Sequence, residues 1–343
     1  MGYVSHHDHA LLDFRLSLPE EWARDEPRRQ ECHVPPEVRY HTRHEQCLEM
    51  LDAWGAQVPH GWVTGDDELG RHTRFRHDLR ERGERSVLGV PCNTTMRDLE
   101  APLPEYAGRG RRPKAPWQSV TEWRKSLLAD AWTHLTVRDG EKGPVEIEMV
   151  KRRVQTRIER KCTGPEEWLV VTRRPLADDR PLEPQASRDA MDQDAGYRYQ
   201  YYLTPTCVSK VELAEPSLAE LARVIKAGAC IEASFKRGKG EVGMDEYQVR
   251  TWQGWHHHMA LSLMAVWFLI GETHRGQQLT PALTLPQVRS GLSLLLLEVY
   301  YTPGVDSVCR QVQRQLMRNE SARFYHHRTR KCMPPRKSRR DIQ

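Results

Sequence analysis

Asp66 and Glu232 are the side chains of this sequence whose surroundings suit chemistry. Asp66 closes the apolar stretch of GWVTGDDELG, a short strand over Trp62–Thr64 that ends in Gly65 and Asp66. Carboxylates at the C-terminal ends of parallel strands face the ligand crevice of an α/β sheet. Glu232 lies in GACIEASFKRGKGEVG. There Ile231, Phe235, Gly238 and Val242 set out a narrow helical packing stripe. Glu232, Lys236, Lys239 and Gly243 fall on the adjacent face, within about 60° of one another at about 100° per residue. Two hard oxygen ligands with lysines beside them suit Mg²⁺ and phosphate. A plainer reading stands next to this one: Asp66 caps the helix that follows it, and Glu232 pairs with Lys236 on a solvated face. On spacing alone the plainer reading is the better one.

The elements that must position these residues alternate. A helical stripe through Cys47, Met50, Leu51 and Trp54 precedes the Asp66 strand, a helix through Phe75 and Leu79 follows it, and SVLGVP is another short apolar strand. Helices alternating with short strands predict an α/β layer with parallel strands. Upstream, Leu12, Phe14, Leu16 and Leu18 alternate with polar residues, which predicts a strand with one buried face. After Asn93 the texture changes. A Gly/Pro/Arg linker (EYAGRGRRPKAPW) and a helical patch over Trp123–Trp132 lead into HLTVRD, VEIEMV, EWLVVTRRP and YRYQYYLTPT, all strand-like. Ser217 then caps a helix that carries the chain to Glu232, with a break near Gly243. The run Met259–Ile270 is apolar nearly all round, which predicts burial, and Leu292–Tyr300 is a second apolar helical segment.

The chain has 343 residues and a net charge of +5 from 52 Lys+Arg and 47 Asp+Glu, with 38% hydrophobic and 29% charged residues. This composition describes a charged globular protein and excludes a low-complexity or fibrous one. The basic excess collects from Arg323 onward, where Arg328, Arg330 and Lys331 belong to a tail suited to polyphosphate. Further basic groups stand at Arg109–Lys114 and Arg157–Lys161. The 8 cysteines form no CxxC pair and read as reduced thiols. No apolar run reaches membrane length, and a reducing cytoplasm is the expected compartment. His256–His258 occupy successive helix positions and cannot all face one ion, and the histidines at 6, 7 and 9 read as a polar chain end. Trp168 reads as a β-core tryptophan before it reads as a platform for an unpaired base.

WVTGDDELG…VLGVP followed by IEASFKRGKGEVGMDEYQVRTWQGWHHHMALSLMA resembles the insertion-sequence transposases of the DDE superfamily. In such enzymes the second acid sits in a strand-end D-x-x-[aromatic]-G; Asp66 and Gly70 match, with Leu69 in place of the aromatic residue. The third acid carries a lysine seven positions on, as Glu232 and Lys239 do. Two features depart. The tyrosine and arginine that such enzymes often carry seven and four residues before the glutamate are here Ile225 and Gly228. The first aspartate belongs to a first core strand lying before LLDFRLSL, and Asp8 and Asp13 are poor substitutes, so the sequence resembles a transposase lacking its N-terminal part.

The resemblance implies a ribonuclease-H-like α/β core interrupted by a β-rich insertion and closed by C-terminal helices. The expected parts are a first core segment over residues 1–92, the insertion over 93–210, a second core segment over 211–283, and helices with the basic tail over 284–343. It implies DNA strand cleavage and strand transfer at transposon ends, using Mg²⁺ or Mn²⁺ held by Asp66 and Glu232. Lys239 would contact phosphate. Lys236, Arg250, Trp168, Arg328, Arg330 and Lys331 would contact DNA. The implied partners are double-stranded terminal repeats and a second copy of the chain, in a bacterial, nucleoid-associated setting with no membrane. The alternative is a truncated, inactive DNA-binding relative that acts as a transposition inhibitor.

Overall fold

A computed structural model describes residues 1–5, 8–103, 105–106, 108–110, 112–140, 143–157, 163–175, 192–194, 196–301 and 305–332. The strands are β1 (Gly2–Val4), β2 (His9–Leu11), β3 (Val63–Gly65), β4 (Ser86–Val90), β5 (Thr95–Asp98), β6 (Gln118–Ser119), β7 (Thr133–Gly140), β8 (Gly143–Arg157), β9 (Thr163–Pro175), β10 (Asp192–Asp194), β11 (Tyr197–Pro205), β12 (Cys207–Val208) and β13 (Val211–Glu212). The helices are α1 (Glu20–Arg24), α2 (Glu26–Glu31), α3 (Arg43–Trp54), α4 (Asp67–Gly70), α5 (Thr73–Glu81), α6 (Val120–Lys125), α7 (Leu218–Val242), α8 (Trp252–Gln277), α9 (Leu285–Tyr301) and α10 (Val305–Cys332). The chain divides into two units: Met1–His9, Arg15–Pro19 and Tyr40–Glu232 in the first, and Ala10–Phe14, Glu20–Arg39 and Ala233–Gln343 in the second.

The first unit is built on one mixed sheet in the order β3-β4-β11-β9-β8-β5-β6, with β10 beside β11 and β7 beside β8. β3 and β4 are parallel, and every other pairing described in this sheet is antiparallel. The strands after Asn93 therefore continue the sheet that carries Asp66. Both faces are covered. Leu48, Phe75, Leu79 and Leu88 pack under α3 and α5, and Val90, Met96, Val120, Trp123, Val154, Leu169, Val171, Tyr201 and Leu203 extend that face. On the opposite face Val87, Ile147, Met149 and Val170 pack against Leu221 and Ala222 of α7. An α/β fold with a central mixed sheet and C-terminal helices results, consistent with the ribonuclease-H-like class.

Capping explains where the helices begin. Thr42 and Glu45 form a reciprocal capping box on α3, and Ser119 and Glu122 form one on α6. In the second unit, α7 ends where Gly243 turns to φ +64°, a left-handed conformation that favours glycine. The Met244 N–H then donates to the Gly238 carbonyl at 3.1 Å.

The helix carrying Glu232 runs unbroken from Leu218 to Val242, since one interior glycine costs about 1 kcal/mol and does not end a well-packed helix. Two expectations are corrected. Residues 12–19 form no strand: the alternation is present but no ladder partner joins it. The Met259–Ile270 run is not wholly buried. Leu263, Val266 and Leu269 are covered, whereas Leu261, Met264, Trp267 and Phe268 are exposed. Among the described residues no helix is long and apolar enough to cross a membrane.

Candidate active site

Asp66 follows β3 and is the N-cap of α4, its Oδ1 accepting from the Leu69 N–H at 3.2 Å. The capping role of the plainer reading is thus real, and it fixes the carboxylate at the strand end. Leu69, in the position of the aromatic residue, packs against the Leu48–Phe75–Leu79–Leu88 cluster and holds the turn down. Gly70 and Gly89 are required by close approach. A Cβ on Gly70 would sit 1.8 Å from the Gly89 carbonyl oxygen, and one on Gly89 would sit 3.0 Å from the Asp66 carbonyl carbon. The Asp66–Gly70 turn therefore lies directly on the β4 backbone.

A buried ionic cluster braces the same turn. Glu167 of β9, 1% exposed, accepts from Arg76 Nε at 3.3 Å and from an Arg80 guanidinium nitrogen at 3.1 Å, while Thr156 Oγ1 donates to its other oxygen at 2.6 Å. Arg76 also donates to the Gly70 carbonyl. One carboxylate thus fixes two α5 arginines, and one of those arginines fixes the end of α4.

Glu232 is delivered by α7. At its first turn the Trp62 indole N–H donates to Glu220 at 3.1 Å, and Arg85, stacked 4.0 Å over the Trp62 ring, donates to the same carboxylate at 3.2 Å. Trp62 and Arg85 immediately precede β3 and β4, so the helix is pinned at the N-terminal ends of those strands. From Glu220 to Glu232 a helix advances about 18 Å, and from Trp62 to Asp66 a strand advances roughly 13 Å. Leu218, Leu221 and Ile225 pack on the sheet, and Glu232 continues that stripe a heptad beyond Ile225. Glu232 therefore falls on the same side of α7 as Ile225, at a point where it is exposed. Phe235, on the stripe read from sequence, is 44% exposed.

One cross-strand pair, which the sequence reading missed, lies near the backbone of Asp66 and feels the charge of Glu232. Tyr202 of β11 lies directly across from Gly89. Opposed residues of an antiparallel pair project from the same face, so Tyr202 stands on the face that meets the Asp66–Asp67 peptide. Burial pushes the Tyr202 phenol up to about 12; Arg174 pulls it down, and the Glu232 carboxylate adds to the rise. Asp66 reaches this pair through its backbone and Glu232 through its charge. Asp66 also sits near α3: burial raises the Cys47 thiol, the N-terminal amine opposes this, and Asp66 and Glu68 add to it.

Asp66 and Glu232 are both exposed, and among the described residues neither takes part in an ion pair; the Glu232–Lys236 bridge of the plainer reading does not form. Open hard-oxygen donors of this kind fit a Mg²⁺ ion that keeps several of its waters. Among the described residues, no group of three or more His, Cys, Asp or Glu is arranged to hold a metal ion. Asp8 and Asp13 each accept from the N–H of the following residue, at 2.8 Å in both cases.

Residues 1–144 match the model of the DDE superfamily endonuclease family. That match, over less than half of the chain, supports a DDE-superfamily transposase-type protein. Asp66 and Gly70 lie inside the matched stretch, and Glu232 lies beyond it. A DDE endonuclease domain carries nuclease-type chemistry on DNA, and DDE nucleases generally use divalent metal ions. No curated protein matches the chain.

The remaining candidates are dispersed. Lys236 and Lys239 are exposed on α7, and Arg250 is exposed in the segment before α8. Trp168 is a half-buried sheet residue with the Lys151 ammonium 4.9 Å from its ring centre. Arg328, Arg330 and Lys331 have their backbone in α10, but their side chains lie outside the described residues, as do the histidines at 6 and 7 and the tail from 333. In the second unit, His256 Nδ1 contacts the Trp252 carbonyl at 2.8 Å and His258 Nε2 the Gly243 carbonyl at 3.1 Å, so both serve local structure.

Proposed function

We propose that this chain is a transposase of an insertion element, working at transposon ends, with Asp66 and Glu232 as the carboxylates that hold a divalent ion. The observation that supports this reading is that the Asp66 turn lies on the Gly89 backbone, while the Glu232 carboxylate acts on Tyr202, the residue paired with Gly89. A bound ion would supply Lewis-acid polarisation of a phosphodiester. The chain's own residues would do the rest. Leu69 and the Gly70 contact hold Asp66 at the strand end, and the Glu220 anchor fixes how far along the sheet Glu232 stands. Tyr202 remains a protonated phenol, a neutral donor at the floor of the site. Lys239 follows Glu232 by a heptad on one helix and would contact phosphate. Lys236, Arg250, Trp168 and the basic end of α10 would add contacts to terminal-repeat DNA, with two copies of the chain on the DNA.

A second reading is favoured by one observation. Among the described residues no group of three or more His, Cys, Asp or Glu is arranged to hold a metal ion. Holding two cations roughly 3.5–4 Å apart against their repulsion calls for more anionic ligands than two. We therefore expect this chain by itself to bind DNA without cutting it, as a transposition inhibitor would. Supercoiled plasmid carrying the element's ends, incubated with the purified chain in Mg²⁺ and in Mn²⁺, should remain supercoiled. Nicking that Glu232→Ala abolishes would overturn this expectation and establish the endonuclease in the chain alone.

A further inference from the structure

Three stacked arginines in this protein have a carboxylate as well as a ring. Arg28 lies over Trp22 and pairs with Asp25 at 3.6 Å; Arg85 lies over Trp62 and pairs with Glu220 at 3.2 Å; Arg173 lies over Trp132 and Tyr197 and pairs with Glu148 at 2.9 Å. Another cluster is different. Arg97 of β5 and Arg157 at the end of β8 both lie over the Trp117 ring, at 4.3 and 4.7 Å from its centre. Neither has a carboxylate partner among the described residues, and Arg97 Nε is buried without a hydrogen-bond partner.

Strand register creates the cluster. Thr95 pairs with Ser119 and Met96 with Gln118, so the next position along sets Trp117 across from Arg97. Two guanidinium groups on one indole repel each other, and the cation–π attraction of each, about 0.5–2 kcal/mol, only partly offsets this. An anion between them removes the repulsion. Guanidinium groups suit phosphate because their planar donors bind its oxygens in pairs. Trp117 is half-buried and Arg157 is exposed, so the cluster opens to solvent. Arg109, Arg112 and Lys114, all exposed, lead into it along the chain and extend the positive surface.

We propose that the Arg97–Trp117–Arg157 stack is a phosphate-binding site for the backbone of double-stranded DNA, with Trp117 as the platform that fixes both guanidinium groups. This rests on the reading of the chain as a DNA-acting protein and adds a contact point outside the Asp66–Glu232 site. Backbone contacts are blind to sequence and release counterions, which gives them a defined salt signature.

The test is fluorescence anisotropy of a labelled duplex across a salt series, for the wild-type chain, Arg97→Gln/Arg157→Gln and Arg97→Lys/Arg157→Lys. Circular dichroism melts establish that each variant folds. Each lost phosphate contact lowers the slope of log affinity against log salt by about 0.9. The glutamine variant should therefore lose about 2 from the slope and bind roughly tenfold to a hundredfold more weakly at 0.1 M salt, on end-containing and unrelated duplexes alike. The lysine variant should keep most of the slope. A wild-type chain that binds, with a folded glutamine variant of unchanged slope, overturns this site and leaves the DNA reading standing. A wild-type chain with no salt-dependent binding overturns both. If the glutamine variant does not fold, the lysine variant decides: lysine lacks the planar paired donors, so affinity unchanged at every salt concentration overturns the stack, and weaker binding with the slope kept supports it.

Discussion

Glu167→Ala is expected to destabilise the first unit by about 3–5 kcal/mol, the cost of leaving a buried ion pair with one partner removed. Both arginines that share this carboxylate are 7% exposed, so neither can turn its charge to solvent without leaving the core. The loss also strands Thr156 Oγ1, whose hydroxyl donates to the same group. Because a domain of this size is stable by only about 5–15 kcal/mol, the variant should approach the unfolding threshold. Urea denaturation measures this directly. Glu167→Gln keeps the acceptor oxygen and should fall between the alanine variant and the wild type. A loss under about 1 kcal/mol for the alanine variant would mean that the cluster is not what holds α5 to the sheet.

Gly70→Ala is the second large effect. Its Cβ would enter the space of the Gly89 carbonyl oxygen, and backbone cannot swing aside as a side-chain tip can. Either α4 lifts from β4 or the strand bends, and overpacking of this kind costs about 1–3 kcal/mol or more. The strain falls on the turn that carries Asp66, so the variant should lose both thermal stability and divalent-ion affinity. A Gly70→Ala protein that melts and binds ions like the wild type would show that the Asp66 turn is not set by this contact.

Much of this was legible in the sequence because it is local. A strand ending in Gly-Asp, a glycine four residues on, and the turn at Gly243 are short-range chemistry, and each stands where its residues put it. So do the strands of residues 133–205, which alternate or are β-branched. What failed was long-range. LLDFRLSL alternates like a strand, but a strand exists only with a ladder partner. The all-round apolar run in α8 could not reveal which stripe packs, and Leu263 and Leu269 are buried while Leu261 and Phe268 are not. Glu167 lies in the strand-like EWLVVTRRP, and nothing local in the sequence announces that α5 brings two arginines onto it. The Gly89–Tyr202 pairing joins strands far apart in sequence, and no residue near either position announces it. The departures at Ile225 and Gly228 are partly explained: Ile225 packs against the sheet as part of the helix stripe that also carries Glu232.

The central claim is that Asp66 and Glu232 share a divalent ion, and Mn²⁺ binding followed by electron paramagnetic resonance tests it without requiring cleavage. The wild-type chain should take up one Mn²⁺, displaceable by Mg²⁺. Asp66→Asn and Glu232→Gln should each weaken it on the order of tenfold or more, since each removes a charged oxygen ligand. Asp67→Asn should change little, because Asp67 pairs with Arg71 at 3.3 Å. The double variant should bind no more weakly than the worse single variant by more than a small factor, as expected when both ligands serve one ion. Unchanged Mn²⁺ affinity in both single variants, with the fold intact, would contradict the account.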